Sequence, residues 1–315
     1  MKPPVVTLGE TMVLLSAPGI GPLRHARSLN VGCAGAESNL AIGTTRLGAP
    51  AAWIGRVGAD DFGELVRATL AGEGVDLRAA VTDPAAPTGL MVKARRTGMV
   101  TEVRYYRAGS AGSRLCPEDV PPDLVRSARV LHVTGITPAL SATARAAVRA
   151  AVEEAAGAGV PVSLDLNYRR ALWSPEAARL ELAELVRQAA IVFATEDEAR
   201  LLVDGDGADA LAHALAAAGP REVVVKRGSR GAVALVDGAL TEVPVVRVDA
   251  VDPVGAGDAF AAGYLAETVA GADPAGCLAT AASAGAFAVT VPGDWEGLPR
   301  RADLDLLLLA DDVRR

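Results

Sequence analysis

From about residue 128 onward the chain settles into a regular alternation, and nothing else in it constrains the fold as tightly. Short apolar runs recur at residues 130–133, 160–165, 190–193, 222–226 and 232–236. Between them lie longer stretches of helical period at 141–156, 175–188 and 208–218. Strands that are apolar throughout are buried on both faces, and strands joined through helices run parallel. The expected fold class is therefore α/β, a three-layer α/β/α arrangement around a mostly parallel central sheet. In such a sheet ligands are held beyond the carboxyl ends of the strands, so strand-end residues are the candidates for chemistry.

Those strand ends are polar. Asp165-Leu166-Asn167-Tyr168-Arg169 sends three polar side chains out of a buried strand in quick succession, and Arg169 offers a planar fork to a carboxylate or phosphate. Thr195-Glu196-Asp197-Glu198 opens a helix, where acids are favoured on dipole grounds alone. Lys226-Arg227-Gly228-Ser229-Arg230-Gly231 places cations beside two glycines and also serves as the turn between two strands.

The last of these features is Asp252-Pro253-Val254-Gly255-Ala256-Gly257-Asp258-Ala259-Phe260, a loop of small residues running into an alanine-rich helix that ends near Gly271. Gly255, Ala256 and Gly257 let the backbone approach a ligand closely, and the first helical turn leaves its N–H groups unpaired. These amides and the helix dipole make an anion site without a basic side chain. Asp258 beside it is placed to take a proton from a hydroxyl that attacks a bound phosphate.

Before residue 128 the rhythm differs. Residues 88–95 and 100–107 are alternating β-type runs around Thr97-Gly98, which reads as a hairpin. A solitary hairpin is marginal, so it should join the N-terminal strands in a second, small sheet built from segments near 10–32 and 88–110. The whole chain, 1–315, is expected to form one catalytic domain.

Composition limits the function classes. Half of the 315 residues are hydrophobic, enough for a sizeable core, and the net charge of −7 argues against nucleic acid or an anionic membrane as partner. The basic residues are nearly all Arg, with Lys only at 2, 93 and 226, which reads as coding bias. Cys33, Cys116 and Cys277 are far apart and lack metal-ligand spacing near His25, His132 and His213, so neither a disulfide framework nor structural zinc is expected. The opening Met1-Lys2-Pro3-Pro4 has no leader character and no apolar run reaches the roughly 20 residues that span a bilayer, so the expected location is cytoplasmic. There is no Gly-x-Gly-x-x-Gly after the first strand and no Walker A lysine motif.

The 252–260 run resembles the C-terminal signature of the ribokinase-like, or PfkB, sugar kinases, and residues 53–63, Trp53 to Gly63, resemble the N-terminal signature of the same family. Residues 109–113, 131–140, 165–175 and 293–297 are similar, in order, to strings of 2-keto-3-deoxygluconate kinases. The resemblance covers nearly the whole chain. It implies a ribokinase-like fold whose small sheet is a lid over the sugar and a contact between copies in a homo-oligomer. It implies ATP and Mg²⁺ as cofactors, with K⁺ an open question near 249–252.

By the same resemblance, Asp258 is the catalytic base and the 255–257 amides stabilise the transferring phosphoryl group. The sugar acid falls to Gly35, Asn39, Met91, Tyr105 or Tyr106, Arg107, Ile136, Arg169 and Asp294. Gly35 has two readings, a helix start packed tightly on a strand or a gap that admits the sugar. ATP falls to Asn167, Thr195, Lys226, Gly228, Ser229, Gly231 and Ala282, and Glu198 would organise Mg²⁺ through water. Met91, or Leu90, stands where relatives carry a Tyr, which removes a hydroxyl donor. The expected reaction is ATP-dependent phosphorylation of a primary hydroxyl, most simply 2-keto-3-deoxygluconate to its 6-phosphate. A fructokinase, ribokinase or nucleoside kinase, and a ligand-binding regulator on a kinase fold, are the alternatives.

Overall fold

The structure, a computed structural model, describes residues 4–97 and 100–308. The opening Met1-Lys2-Pro3 and the hairpin centre at Gly98 lie outside the described residues. The strands are β1 (Val5–Leu8), β2 (Met12–Ile20), β3 (Asn30–Ala34), β4 (Ala51–Gly58), β5 (Ala80–Asp83), β6 (Leu90–Arg95) and β7 (Thr101–Tyr106), followed by β8 (Val130–Thr134), β9 (Val162–Asp165), β10 (Ile191–Thr195), β11 (Glu222–Lys226), β12 (Ala232–Val236) and β13 (Ala239–Val243).

Nine of them form one sheet in the order β13-β12-β11-β10-β9-β8-β1-β4-β5. Every pairing from β5 to β11 is parallel, and β12 and β13 add antiparallel at the edge. All five strands expected after residue 128 are present. The run at 160–165 pairs as a strand only from Val162, because Pro161 has no N–H to give the ladder.

The pleat divides each central strand between two cores. Leu131, Val133, Val192, Ala194, Val223 and Val225 pack on one face with the helices Ala142–Gly157, Pro175–Gln188 and Gly207–Ala216. Val130, Ile191, Phe193 and Val224 pack on the other with the helices Ala256–Ala270 and Pro274–Ala288. Fully apolar strands are the sequence record of this two-sided burial, each buried side chain being worth about 1.5–3 kcal/mol.

The helix Ala256–Ala270 is pinned at its middle. Tyr264 is fully buried, its ring meets Phe193 of β10 edge-on at 5.3 Å, and its hydroxyl donates to Glu222 Oε2 at 3.0 Å. This fixes where the helix's first turn points.

The second sheet has the order β3-β2-β6-β7. It consists of two antiparallel hairpins joined by a parallel β2–β6 pair. Register places Met91 opposite Tyr105 and Lys93 opposite Val103 on one side, while Leu90 pairs with Tyr106 on the other.

Candidate active site

The carboxyl ends of β9, β10 and β11, the start of the helix Ala256–Ala270 and the inner side of the small sheet line one cavity of about 550 Å³. Of the residues singled out from sequence, Gly35, Asn39, Met91, Tyr105, Arg107, Ile136, Asn167, Arg169, Thr195, Glu198, Lys226, Gly255, Gly257, Asp258 and Asp294 line it. Tyr106, Ala256, Gly228, Ser229, Gly231 and Ala282 do not.

The two tyrosines divide as alternation requires: Tyr105 faces inward and Tyr106, 62% exposed, faces out. The same register settles the pair before it. Met91 faces the cavity, and Leu90 packs with Val13 and Trp53.

The helix Ala256–Ala270 begins without a side-chain cap. By contrast Asp60, Ser141, Ser174, Thr195 and Asp273 each cap the helix that follows them. An uncapped first turn on a cavity wall leaves amide donors for a ligand. Gly255 enters this helix in the left-handed region, φ +79°, and a Cβ there would stand 2.1 Å from the Asp294 carbonyl oxygen.

Asp258 lies in that first turn. Asn39 Nδ2 donates to its Oδ2 at 2.9 Å. Burial pushes the Asp258 carboxyl up to about 7 and nearby Asp165 adds to the rise, while the Asn39 hydrogen bond and the charges of Arg169 and Lys226 oppose it. A carboxylate tuned to neutrality is matched to proton transfer at neutral pH.

At the strand ends, Asp165 accepts from Lys226 Nζ at 2.7 Å. Asn167 adopts φ +37°, a left-handed conformation that Asn tolerates better than most residues, and its N–H donates to Asp165 Oδ1 at 3.2 Å. Glu198 takes hydrogen bonds from the Thr195 amide and hydroxyl on one oxygen and from the Tyr168 amide on the other. It is held in place as a fixed carboxylate. Among the described residues no group of three or more His, Cys, Asp or Glu could hold a metal by themselves.

The two arginines differ. Arg107 is neutralised by buried Glu10, Nη2 to Oε2 at 2.6 Å, and Ser110 also donates to that carboxylate. Arg169 makes no ion pair among the described residues, and only a long 3.4 Å bond to the Tyr168 carbonyl. Gly35 lines the cavity and is also tightly packed, since a Cβ there would stand 2.4 Å from the Glu10 carbonyl oxygen.

Sequence reasoning missed Glu10, Arg170 and Glu37. Glu10 and Arg170 line the cavity, as does Glu37, whose carboxylate accepts from Thr134 and Thr137 at 2.7 and 2.6 Å and is pushed up by burial. It also missed Lys93, 5% exposed, whose Nζ lies 2.6 Å from Asp252 Oδ2 and 3.5 Å from Asp294 Oδ1. One signal was there to use: in a chain whose basic residues are nearly all Arg, the two described lysines, Lys93 and Lys226, both hold buried carboxylates at this site.

Among the described residues no helix is long and apolar enough to cross a membrane. Residues 2–301 match the pfkB family of carbohydrate kinases. The 2-dehydro-3-deoxygalactonokinase of Haloferax volcanii is 38% identical, with 93% of each chain covered. The 2-dehydro-3-deoxygluconokinase of Thermoproteus tenax is 37% identical over 97% of this chain and 94% of its own. A Klebsiella pneumoniae fructokinase is 35% identical over 96% and 99%. Among solved structures, a PfkB protein from Polaromonas sp. JS666 superimposes with a TM-score of 0.87 at 36% identity, covering 96% of this chain and 99% of that one. A putative ribokinase II from E. coli bound to ATP and Mg²⁺ gives 0.91 at 28%, covering 97% and 99%. The chain belongs to the pfkB family of carbohydrate kinases, phosphotransferases that act on an alcohol group.

Proposed function

We propose that this kinase transfers the γ-phosphoryl group of ATP to the primary hydroxyl of 2-keto-3-deoxygluconate. The observation that carries the reading is the pairing of an uncapped helix start bearing Asp258 with an uncompensated Arg169 in one cavity. The first suits a phosphoryl group in flight, and the second suits a substrate that is itself an acid.

One buried acceptor on the cavity wall, Asn39 Oδ1, has no hydrogen-bond donor in the protein, and a second, Asp294 Oδ1, has only the Lys93 ammonium at 3.5 Å. Each is available to a sugar hydroxyl, which would relieve the cost of leaving a buried acceptor unmet. Burial holds the Asp294 carboxyl up at about 6.

Asp258 accepts the proton of the attacking hydroxyl, and the 255–257 amides stabilise charge on the transferring group. Lys226, paired with Asp165, brings positive charge toward the donor phosphates in a protein of net charge −7, and Arg169 is left for the acid of the sugar. Mg²⁺, when bound, would spread the charge of those phosphates; Glu198, held by three N–H or O–H donors, is the carboxylate fitted to hold its waters. Asn167 and Thr195 lie where the nucleotide phosphates would pass. Gly228, Ser229, Gly231 and Ala282 are proposed to border the adenosine end, outside the cavity proper.

The small sheet acts as a lid that excludes water from the transfer. Its outward side chains Val31 and Tyr106, each more than half exposed, are the surface on which copies of the chain pair.

A second reading keeps the chemistry and changes the sugar to the epimer 2-keto-3-deoxygalactonate, favoured by the Haloferax relative and by Met91 in place of a hydroxyl donor. ADP release measured with 2-keto-3-deoxygluconate, its galacto epimer, fructose, ribose and adenosine decides between them. The gluco acid is expected to give the highest kcat/KM, at least about tenfold above any neutral sugar, the least that a charge-assisted contact of about 1.5–3 kcal/mol supplies. A neutral sugar at the top of the panel would reject the sugar-acid reading.

The proton acceptor also fixes a pH profile. The carboxylate of Asp258 is the active form, so kcat/KM should rise about tenfold per pH unit below about 7 and level off above it. Asn39→Leu removes the hydrogen bond that favours the charged form, so its profile should move to higher pH. A flat profile between pH 5.5 and 8 would refute the assignment.

A further inference from the structure

Asp252 opens the phosphate-side loop, and its surroundings are unusual. Asp252 is 5% exposed, and its Oδ1 accepts from the Val254 amide at 3.2 Å. Its Oδ2 meets the Lys93 ammonium at 2.6 Å. The same Nζ donates to the Gly293 carbonyl at 3.1 Å and lies 3.5 Å from Asp294 Oδ1. Lys93 comes from β6, in the other sheet, and is itself 5% exposed.

One ammonium thus gathers two loops. Residues 251 and 252 hydrogen-bond the Val289 carbonyl, and Gly255 packs against the Asp294 carbonyl, so the 251–257 and 289–294 segments form a single backing for the helix start. Two carboxylates and a carbonyl in a buried pocket repel one another unless a cation sits among them. Three donors on a compact point charge suit such a pocket, where a planar guanidinium fork would not.

We propose that Lys93 is a positioning residue that supplies, covalently from the lid sheet, the monovalent cation that the Asp252–Gly293–Asp294 pocket requires. Its ammonium holds the 255–257 amides in place for the phosphoryl group and ties the lid strand to the loop that does the chemistry. It follows that the native enzyme needs no added K⁺, and that removing the side chain leaves a cation-sized pocket which free K⁺ or NH₄⁺ fills. This rests on the kinase reading for its effect on turnover, although the cation pocket itself does not.

The test uses the full chain and the Lys93→Ala variant in 100 mM KCl, NH₄Cl or tetramethylammonium chloride, the last being too large for the pocket. Both melting temperature and kcat are read in each salt. The wild type is expected to behave alike in all three, within about twofold in kcat. Lys93→Ala should lose tenfold or more in kcat in tetramethylammonium, with a smaller change in the KM for ATP. It should regain at least fivefold, and melt at higher temperature, in K⁺ or NH₄⁺.

Should Lys93→Ala alone fail to fold, Lys93→Ala with Asp252→Asn removes the uncompensated carboxylate; this pair should fold and show no response to K⁺. The proposal is overturned if wild-type kcat rises more than about twofold with K⁺. It is also overturned if folded Lys93→Ala responds equally to all three salts in both readouts, or if the double variant responds to K⁺ as the single one does. A wild type that phosphorylates no sugar would sink the kinase reading alone, because the salt-specific melting shift of Lys93→Ala stands without it.

Discussion

Asp258→Asn is expected to lower kcat by about a hundredfold or more while changing ATP affinity little. The exchange keeps the shape of the side chain but removes its capacity to accept a proton. The first-turn amides proposed to meet the phosphates belong to the backbone and stay. The Asn39 amide, which now donates to Asp258 Oδ2 at 2.9 Å, can donate to the new side-chain oxygen, so the packing of the site should survive. Steady-state turnover with the sugar acid, set beside ATP binding by calorimetry, separates the two effects. Turnover near the wild-type value would remove Asp258 from the role of base.

Gly255→Ala should damage the protein where Gly257→Ala does not. At Gly255 the backbone sits at φ +79°, which costs an L-residue about 1–2 kcal/mol, and the new methyl would meet the Asp294 carbonyl oxygen at 2.1 Å. That oxygen belongs to backbone, so the loop has to move. A loss of about 2–4 kcal/mol of stability is expected, and a melting temperature lower by about 4–8 °C. Turnover should fall with it, because the displaced loop carries the amides.

At Gly257 the same methyl would meet only Lys226 Nζ at 3.5 Å, an ordinary contact, in a helix where Ala is favoured over Gly. Its melting temperature should hold or rise slightly. Equal melting of the two variants would show that the turn at Gly255 does not constrain the site as described.

The central sheet was legible because both of its faces are buried. Strands such as Ala232–Val236 and Ile191–Thr195 carry apolar residues at nearly every position, and that pattern has few other uses. The loop at 252–260 was legible because its small residues and its acid are contiguous. Lys93 was not legible in the same way, since its partners Asp252 and Asp294 lie far along the chain and only the tertiary fold brings them together. Glu10 and Arg107 are hidden for the same reason. Tyr105 and Tyr106 show a different limit: alternation says that one faces inward, but the phase is set by pairing with β6. Arg107 was expected at the substrate, and the sequence offered no hint that a buried carboxylate already holds its charge.

The register of the small sheet divides labour along the chain. Met91, Val103 and Tyr105 reach the cavity from two adjacent strands, while Asp258 and its neighbouring amides come from a helix some 150 residues later. Sequence change on one side of a single hairpin can therefore reshape one wall of the cavity and leave the helix that carries Asp258 untouched. Lys93, on that same side between Met91 and the hairpin turn, is the point at which this freedom ends.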